Sequence, residues 1–301
     1  MDPLIILFGF GVGILVGTTG IGGGSLMTPI LILIFGYQPT TAIGTDLAYG
    51  AVTKTVGGYR HWRQKTVDFG LSQWMAFGSV PAAIGGVVVL KALQDAFGKD
   101  NFDNTLLIAV AGALLLTGIV ILARLLLPMG GKGERHTTPL ERRHKVAAVA
   151  LGASVGFVLG VTSAGSGSLI AVGLIMLFRL TPQRVVGTDV FHAAILLWAA
   201  ALAHIVAGNV DFALAGTILI GSIPGVWVGS GLTVRLPIGV MRATLACVLL
   251  AAGLALLQKA DIGIPPAIII GAPIAVGVLV AVLRLTRPPR SNAPVPVPEK
   301  A

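Results

Sequence analysis

The sequence predicts an all-α polytopic membrane protein made of two homologous halves. Hydrophobic residues make up 55% of the 301 residues, charged residues only 11%, and the mean hydropathy is +0.91. A soluble domain needs about a quarter of its residues charged to cover its surface, so most of this surface must face lipid. Stretches 105–123 and 243–257 carry no charge. A span needs about 20 such residues, which leaves room for roughly seven to ten spans.

An internal repeat divides the chain. Gly17–Leu26 aligns with Gly160–Leu169, and Gly44–Asp46 aligns with Gly187–Asp189 at the same offset of 143 positions. No gap is needed over the aligned region, which indicates duplication and fusion. The predicted boundaries are 1–127 for the first membrane repeat, 128–145 for a cytoplasmic linker, 146–258 for the second membrane repeat, 259–285 for an additional C-terminal span and 286–301 for a disordered tail.

The distribution of Lys and Arg predicts how the halves lie in the membrane. If the basic loops are cytoplasmic, residues 146–178 must leave and return on one side, as a re-entrant hairpin of two arms of about a dozen residues each. Residues 4–35 form the equivalent hairpin. Each half then has one glycine-tipped hairpin and three crossings, so the halves are inverted repeats, with the N-terminus outside and the C-terminus cytoplasmic. The alternative is one broken span per hairpin, with the halves parallel.

The net charge of +9 lies in loops and tails. Such a charge in a soluble protein would suggest binding to nucleic acid. Here we expect the positive loops to orient the protein in the membrane by the positive-inside rule. The single cysteine, Cys247, lies within a span, so the sequence contains no thiol metal cluster. We expect membrane lipid as a partner and neither a nucleic acid, a metal nor a cofactor; the sequence does not predict the oligomeric state.

The two hairpin tips are the first candidate site. Clustered glycines break the helix there, and backbone at membrane depth is broken only where it lines a cavity or is buried in protein. The second arm should start at Ser25 or Ser168 as its N-cap, so that free N–H groups and hydroxyls attract an anion. The alternative is close packing of helices through small residues. The predicted substrate-binding residues are Thr18, Thr19, Gly22, Gly23, Gly24, Ser25, Thr162, Ser163, Gly165, Ser166, Gly167 and Ser168.

Two aspartates form the second candidate site. Asp46 and Asp189 follow Gly-Thr early in the next span, where an ionisable group is costly and by default functional. They could carry protons or position donors at the rim of the anion site; the alternative is a helix-capping role. Lys54 could neutralise an anion or snorkel to the boundary. The predicted coupling or rim residues are Thr45, Asp46, Lys54, Thr188, Asp189 and His192.

Two further pairs are related by the repeat. Asp68 and Asp211 precede apolar runs and are predicted to be N-caps. His61 and His204 lie near span ends, and a structural or interfacial role is favoured for them.

The chain resembles the TauE/SafE sulfite-exporter family of membrane transporters. The resemblance rests on the glycine-rich motif before Pro29, the Gly-Thr-Asp motifs ending at Asp46 and Asp189, Gly-Asn-Val-Asp211 and Gly-Ser-Ile-Pro224. It implies transport of a small sulfur-containing anion such as sulfite, a sulfonate or another organosulfur anion, and leaves substrate and direction open. One departure is that the second tip reads Thr-Ser-Ala-Gly-Ser-Gly-Ser rather than a run of glycines.

Three function classes follow. The first is a secondary anion transporter that works by alternating access, with its site where the tips meet and with proton coupling left open. The second is an intramembrane aspartyl enzyme, in which Asp46 and Asp189 share a proton. The third is an anion channel or sensor. The duplication of whole halves and the glycine tips favour the transporter over the enzyme.

Overall fold

The described part of the chain is helical throughout. The computed structural model describes residues 2–19, 24–97, 99–126, 141–232 and 238–285, which form eleven α-helices within these ranges. This confirms the predicted all-α class. The helices are α1 Pro3–Thr19, α2 Gly24–Leu33, α3 Pro39–Arg63, α4 Phe69–Phe97, α5 Lys99–Leu126, α6 Arg142–Thr162, α7 Ser166–Phe178, α8 Pro182–Val206, α9 Phe212–Leu232, α10 Ile238–Lys259 and α11 Pro266–Leu285.

Six helices in the described ranges are long and apolar enough to cross a membrane. They are α4, α6 and α8, together with Phe102–Leu126 of α5, Phe212–Gly229 of α9 and Gly239–Lys259 of α10. The chain is therefore a multi-pass membrane protein. Helix α3 is as long as α8 but is less apolar, because it ends in the basic segment Arg60–Arg63. Crossings by α3 and α11 remain predictions.

The repeat is visible in the packing of equivalent helices. Helices α1 to α5 correspond in order to α6 to α10, and the bounds of α3 and α8 differ by the sequence offset. Gly50 of α3 lies against Leu197 of α8, and Gly57 lies against Val190, so these two equivalent helices are antiparallel. Helices α5 and α10 are likewise antiparallel. An inverted repeat requires this relation; the orientation in the membrane stays a prediction.

Both predicted hairpins fold back on themselves. The rings of Phe8 on α1 and Phe35 after α2 lie 5.5 Å apart, and His144 at the start of α6 lies 6.3 Å from Phe178 at the end of α7. The predicted arm length of about a dozen residues is wrong for the first arms, because α1 has 17 residues and α6 has 21. These arms are longer because the glycines before each tip remain helical.

Small residues hold each first arm against a helix of the opposite half. An added Cβ on Gly152 of α6 would collide with the carbonyl of Met75, and one on Gly156 would collide with that of Ser79 on α4. The equivalent stripe on α1 packs against α9 in the same way. Backbones approach this closely only where side chains are absent, as in other membrane helix pairs. The first arms are therefore fixed to α4 and α9.

The helix directions place the basic loops together. Helices α4 and α8 are parallel, because Phe69 contacts Phe191 near their starts and Lys91 shares a groove with Val206 near their ends. Helices α4 and α6 are also parallel, so α6 and α8 run the same way and α7 must return between them. One face of the molecule consequently holds the ends of α3 and α7, while the loop after α8 lies on the other face.

Candidate functional site

The tip of the second hairpin is a short turn with two left-handed residues. Helix α6 ends at Thr162, Ser163 has φ 58°, Gly165 has φ 96°, and α7 begins at Ser166. The predicted N-cap at Ser168 is wrong by three residues, because Gly165 closes the turn and the helix starts directly after it. Ser168 therefore lies in the first turn of α7, where the N–H groups have no partner within the helix.

In the first half, α2 begins at Gly24, so Ser25 is its second residue rather than its N-cap. Gly22 and Gly23 lie outside the described residues. Thr19, Gly24 and Ser166 belong to described helices, but only their backbone is described.

The second tip is seated on the first half. The hydroxyls of Thr28 on α2 and Ser163 lie 2.6 Å and 2.9 Å from Oδ2 of Asp46, and 2.6 Å from each other. The backbone N–H of Gly165 donates to Oγ of Ser25 at 3.3 Å. The structure thus brings together four residues that were predicted as site residues, Ser25, Ser163, Gly165 and Asp46.

Polar atoms without a partner surround this contact. Oδ1 of Asp46, Oγ of Ser168 and Oγ1 of Thr117 are buried and have no hydrogen-bond partner among the described residues. The Thr117 hydroxyl lies 3.5 Å from the position that a Cβ on Gly165 would occupy. Buried polar groups normally find a partner in protein or water. Unsatisfied polar atoms on α3, α5 and the first turn of α7 are consistent with a site for a polar ligand.

Two predicted hydroxyl donors, Thr18 and Thr162, donate to backbone carbonyls of their own helices. Oγ1 of Thr18 donates to the carbonyl of Leu15, and Oγ1 of Thr162 donates to that of Val158. A threonine hydroxyl has one hydrogen, so neither donates toward a ligand in this conformation. Gly167 lies in the first turn of α7 beside Ser168.

Asp189 has different surroundings from Asp46. It is buried, its Oδ1 has no hydrogen-bond partner in the described part, and the cations Lys54 and Arg124 lie within electrostatic range. Lys54 is itself buried, which argues against snorkelling. Both ring nitrogens of His192, one turn after Asp189, are buried without a partner among the described residues; the backbone of Ser72 is close, but outside hydrogen-bonding geometry.

The predicted rim threonines join the halves. The N–H of Asp68 donates to Oγ1 of Thr188 at 2.9 Å, and the N–H of Asp211 donates to Oγ1 of Thr45 at 3.0 Å. The two aspartates are the N-caps that were predicted, because Oδ1 of each accepts from the N–H three residues on. These contacts fix the entry to α4 and α9 from the opposite half.

The histidine pair is structural, as favoured. Nε2 of His204 lies 2.9 Å from the carbonyl oxygen of Gly160, and its Nδ1 lies 3.2 Å from the Asn209 amide. Nδ1 of His61 lies 3.0 Å from Oγ1 of Thr66. Both rings thereby hold span ends in place.

Sequence reasoning missed Thr28, Thr117 and Arg124. Thr117 could have been found, since it is the one hydroxyl residue in the apolar run 106–123. Thr28 could not, because its counterpart in the repeat is Ala171 and no motif marks it.

Comparison with known proteins agrees with this architecture. The family model "Sulfite exporter TauE/SafE" matches residues 5–256. A probable membrane transporter protein of Bacillus subtilis, YjnA, is 40% identical over 258 residues, which cover 85% of this chain and all of that protein.

A second probable transporter of that organism, YdhB, is 31% identical over 84% of this chain and 99% of its own length. One from Xylella fastidiosa is 30% identical over 78% of this chain and 87% of its own. No solved structure matches. These relatives are named as membrane transporters rather than enzymes, and with its helical repeat and full-length match the chain belongs to the TauE/SafE sulfite exporter family of membrane transporters.

Proposed function

We propose that the protein is a secondary transporter of a small sulfur-containing anion, such as sulfite, a sulfonate or another organosulfur anion. The observation that carries this proposal is the contact between the second tip and the first half, through Gly165 with Ser25 and Ser163 with Thr28. Both halves thereby contribute to one buried polar site.

The chemistry of this site suits an oxyanion. The free N–H groups in the first turn of α7 and the positive end of the helix dipole favour negative charge. Ser168 and Thr117 add buried hydroxyls that have no partner within the described residues. Neutral donors of this kind release an anion more readily than a buried arginine would, which suits a carrier.

The arrangement of the halves suits alternating access. Antiparallel equivalent helices allow one half to adopt the conformation of the other while the site stays at their interface. The basic ends of α3 and α7 share one face, so the positive-inside rule places this face in the cytoplasm and the N-terminus outside.

Binding and transport by purified protein test the proposal. Sulfite and small sulfonates should raise the melting temperature of the wild type, and proteoliposomes should accumulate the anion against its gradient. Ser168→Ala combined with Thr117→Val should weaken binding at least about tenfold, since each lost hydrogen bond to a charged group is worth about 1.5–3 kcal/mol.

Ser154→Ala is the matched control, because Ser154 is exposed and its hydroxyl donates to the carbonyl of Ala150 within α6. Wild-type affinity in the double variant would place the anion elsewhere. Passive equilibration without accumulation under every ion gradient would indicate a channel instead. An aspartyl enzyme is disfavoured, because Asp46 is bonded to Thr28 and Ser163 whereas Asp189 faces cations.

A further inference from the structure

Three oxygens meet where the second tip touches the first half. Oγ1 of Thr28, Oγ of Ser163 and Oδ2 of Asp46 form a triangle with sides of 2.6, 2.6 and 2.9 Å. All three residues are buried. Each side has the length of an O–H···O hydrogen bond, so each needs one hydrogen.

The number of hydrogens decides the protonation state. The two hydroxyls supply two hydrogens. If Asp46 were ionised, two hydrogens would have to serve three contacts, and one pair of oxygens would face each other with no hydrogen between them. A third hydrogen on Oδ2 of Asp46 gives each oxygen one donated and one accepted bond, in a closed ring.

We propose that Asp46 is a proton-binding site that holds its proton as the neutral carboxylic acid while the second tip is seated on the first half. The ring joins α2, α3 and the tip of the second hairpin. Opening the tip removes Ser163 from the ring and exposes the buried carboxyl to water, where it can ionise; loss of the Ser163 hydroxyl with the tip still seated leaves the carboxyl buried and protonated. Proton release is thereby tied to separation of the two halves.

Among the described residues, no cation lies in electrostatic range of Asp46, and the backbone of Thr28 is the one further neighbour, besides the two hydroxyls, that favours the anion. Helix α2 and the second tip present hydroxyls to it, and Tyr49, one turn along α3, is the titratable group in electrostatic range within the described residues. Lys54, two turns further, interacts with Asp189 instead.

Asp189 is not equivalent, in spite of the repeat. The positions that correspond to Thr28 and Ser163 are Ala171 and Gly20, so the second half lacks the two hydroxyls. Lys54 and Arg124 lie in electrostatic range of Asp189. We therefore assign the exchangeable proton to Asp46 rather than to Asp189.

The role of this proton in transport rests on the proposed function, whereas the protonation itself does not. A neutral Asp46 does not repel an anion bound a few ångströms away, whereas a carboxylate would. Anion and proton are then bound together and released together.

Infrared spectroscopy of the purified full chain tests the protonation directly. The wild type at neutral pH should show the carbonyl band of a protonated carboxyl group, Asp46→Asn should lack it, and Asp189→Asn should keep it. Absence of the band from the wild type, or its loss in Asp189→Asn with retention in Asp46→Asn, overturns the assignment.

Two further variants keep the test decisive if Asp46→Asn does not fold. Ser163→Ala and Thr28→Val each break the ring, so the band should move to the higher frequency of a less hydrogen-bonded acid, and Thr28→Ser should restore its position. If the band stays at its wild-type frequency in both variants, the hydrogen-bonded ring is refuted.

The spectra and the transport assay together distinguish this proposal from the proposed function. If the wild-type band vanishes in Asp46→Asn but the wild type transports no anion, the proton site is supported and the proposed function is refuted. Anion transport by a wild type that lacks the band would support the proposed function and refute the proton site at Asp46.

Discussion

At the residue scale, some equivalent positions of the repeat have the same role in both halves and others do not. Thr45 and Thr188 both accept a backbone N–H from the opposite half, so this pair keeps one structural task. Asp46 and Asp189 have opposite surroundings, hydroxyls for one and cations for the other. Duplication supplied two copies of each motif, and side chains outside the motifs differentiated them.

We expect Thr188→Val to destabilise the protein by about 1–3 kcal/mol, because it removes the buried hydroxyl that accepts the N–H of Asp68 across the two halves. Thermal unfolding in detergent measures this, with Thr188→Ser as the control that retains the acceptor. Affinity for the anion should stay at the wild-type value. Reduced affinity with unchanged stability would instead support a direct role at the rim of the site.

At the element scale, each half is tied to the other through its first arm. Helix α6 packs against α4 and helix α1 against α9, with glycines facing carbonyl oxygens along both contacts. Side chains cannot be inserted at such contacts without moving whole helices. The arms are therefore a fixed scaffold, and the second tip, which α6 carries, is held against the first half.

Replacement of Gly156 by Val should separate α6 from α4 and destabilise the protein by about 1–3 kcal/mol or more, because the new side chain meets the Ser79 backbone. Gly112→Val is the matched control, since an added Cβ there has no neighbour within 4 Å. The yield of monodisperse protein and its melting temperature are the measurements. Equal behaviour of the two variants would contradict the packing described for α4 and α6.

At the scale of the whole molecule, the directions of the helices favour the inverted repeat predicted from charge over one broken span per hairpin, and the orientation in the membrane stays a prediction. Helices α6 and α8 run the same way, which a single broken span would not allow. The ends of α3 and α7 consequently share a face. An inverted arrangement would account for the basic residues Arg60, Arg63 and Arg179 lying on one side.

Labelling of single cysteines in a Cys247→Ala background tests this topology. Gln64→Cys and Arg179→Cys should react only with reagent on the cytoplasmic side, and Asp2→Cys and Gly208→Cys only with reagent outside. These positions are exposed in the structure. Labelling of positions 64 and 179 from opposite sides would refute the inverted arrangement.

The sequence by itself determined the membrane class, the repeat, the capping aspartates and the glycine-rich break that follows each first arm. These features depend on composition and on local backbone preference, which a single chain displays directly: Gly165 occupies a left-handed turn, and Asp68 caps the helix that follows it. The resemblance to one transporter family rests on the same local motifs.

Only the tertiary structure decided which side chains meet. Thr28 carries no motif, and Ser163 lies 135 positions away, yet the two share the carboxyl of Asp46. The repeat makes Asp46 and Asp189 equivalent in sequence, but it does not predict which side chains of other helices pack beside each of them. Those neighbours fix the charge that each carboxyl can bear, because inside a membrane protein the surrounding donors and cations replace water as the solvent of an ionisable group.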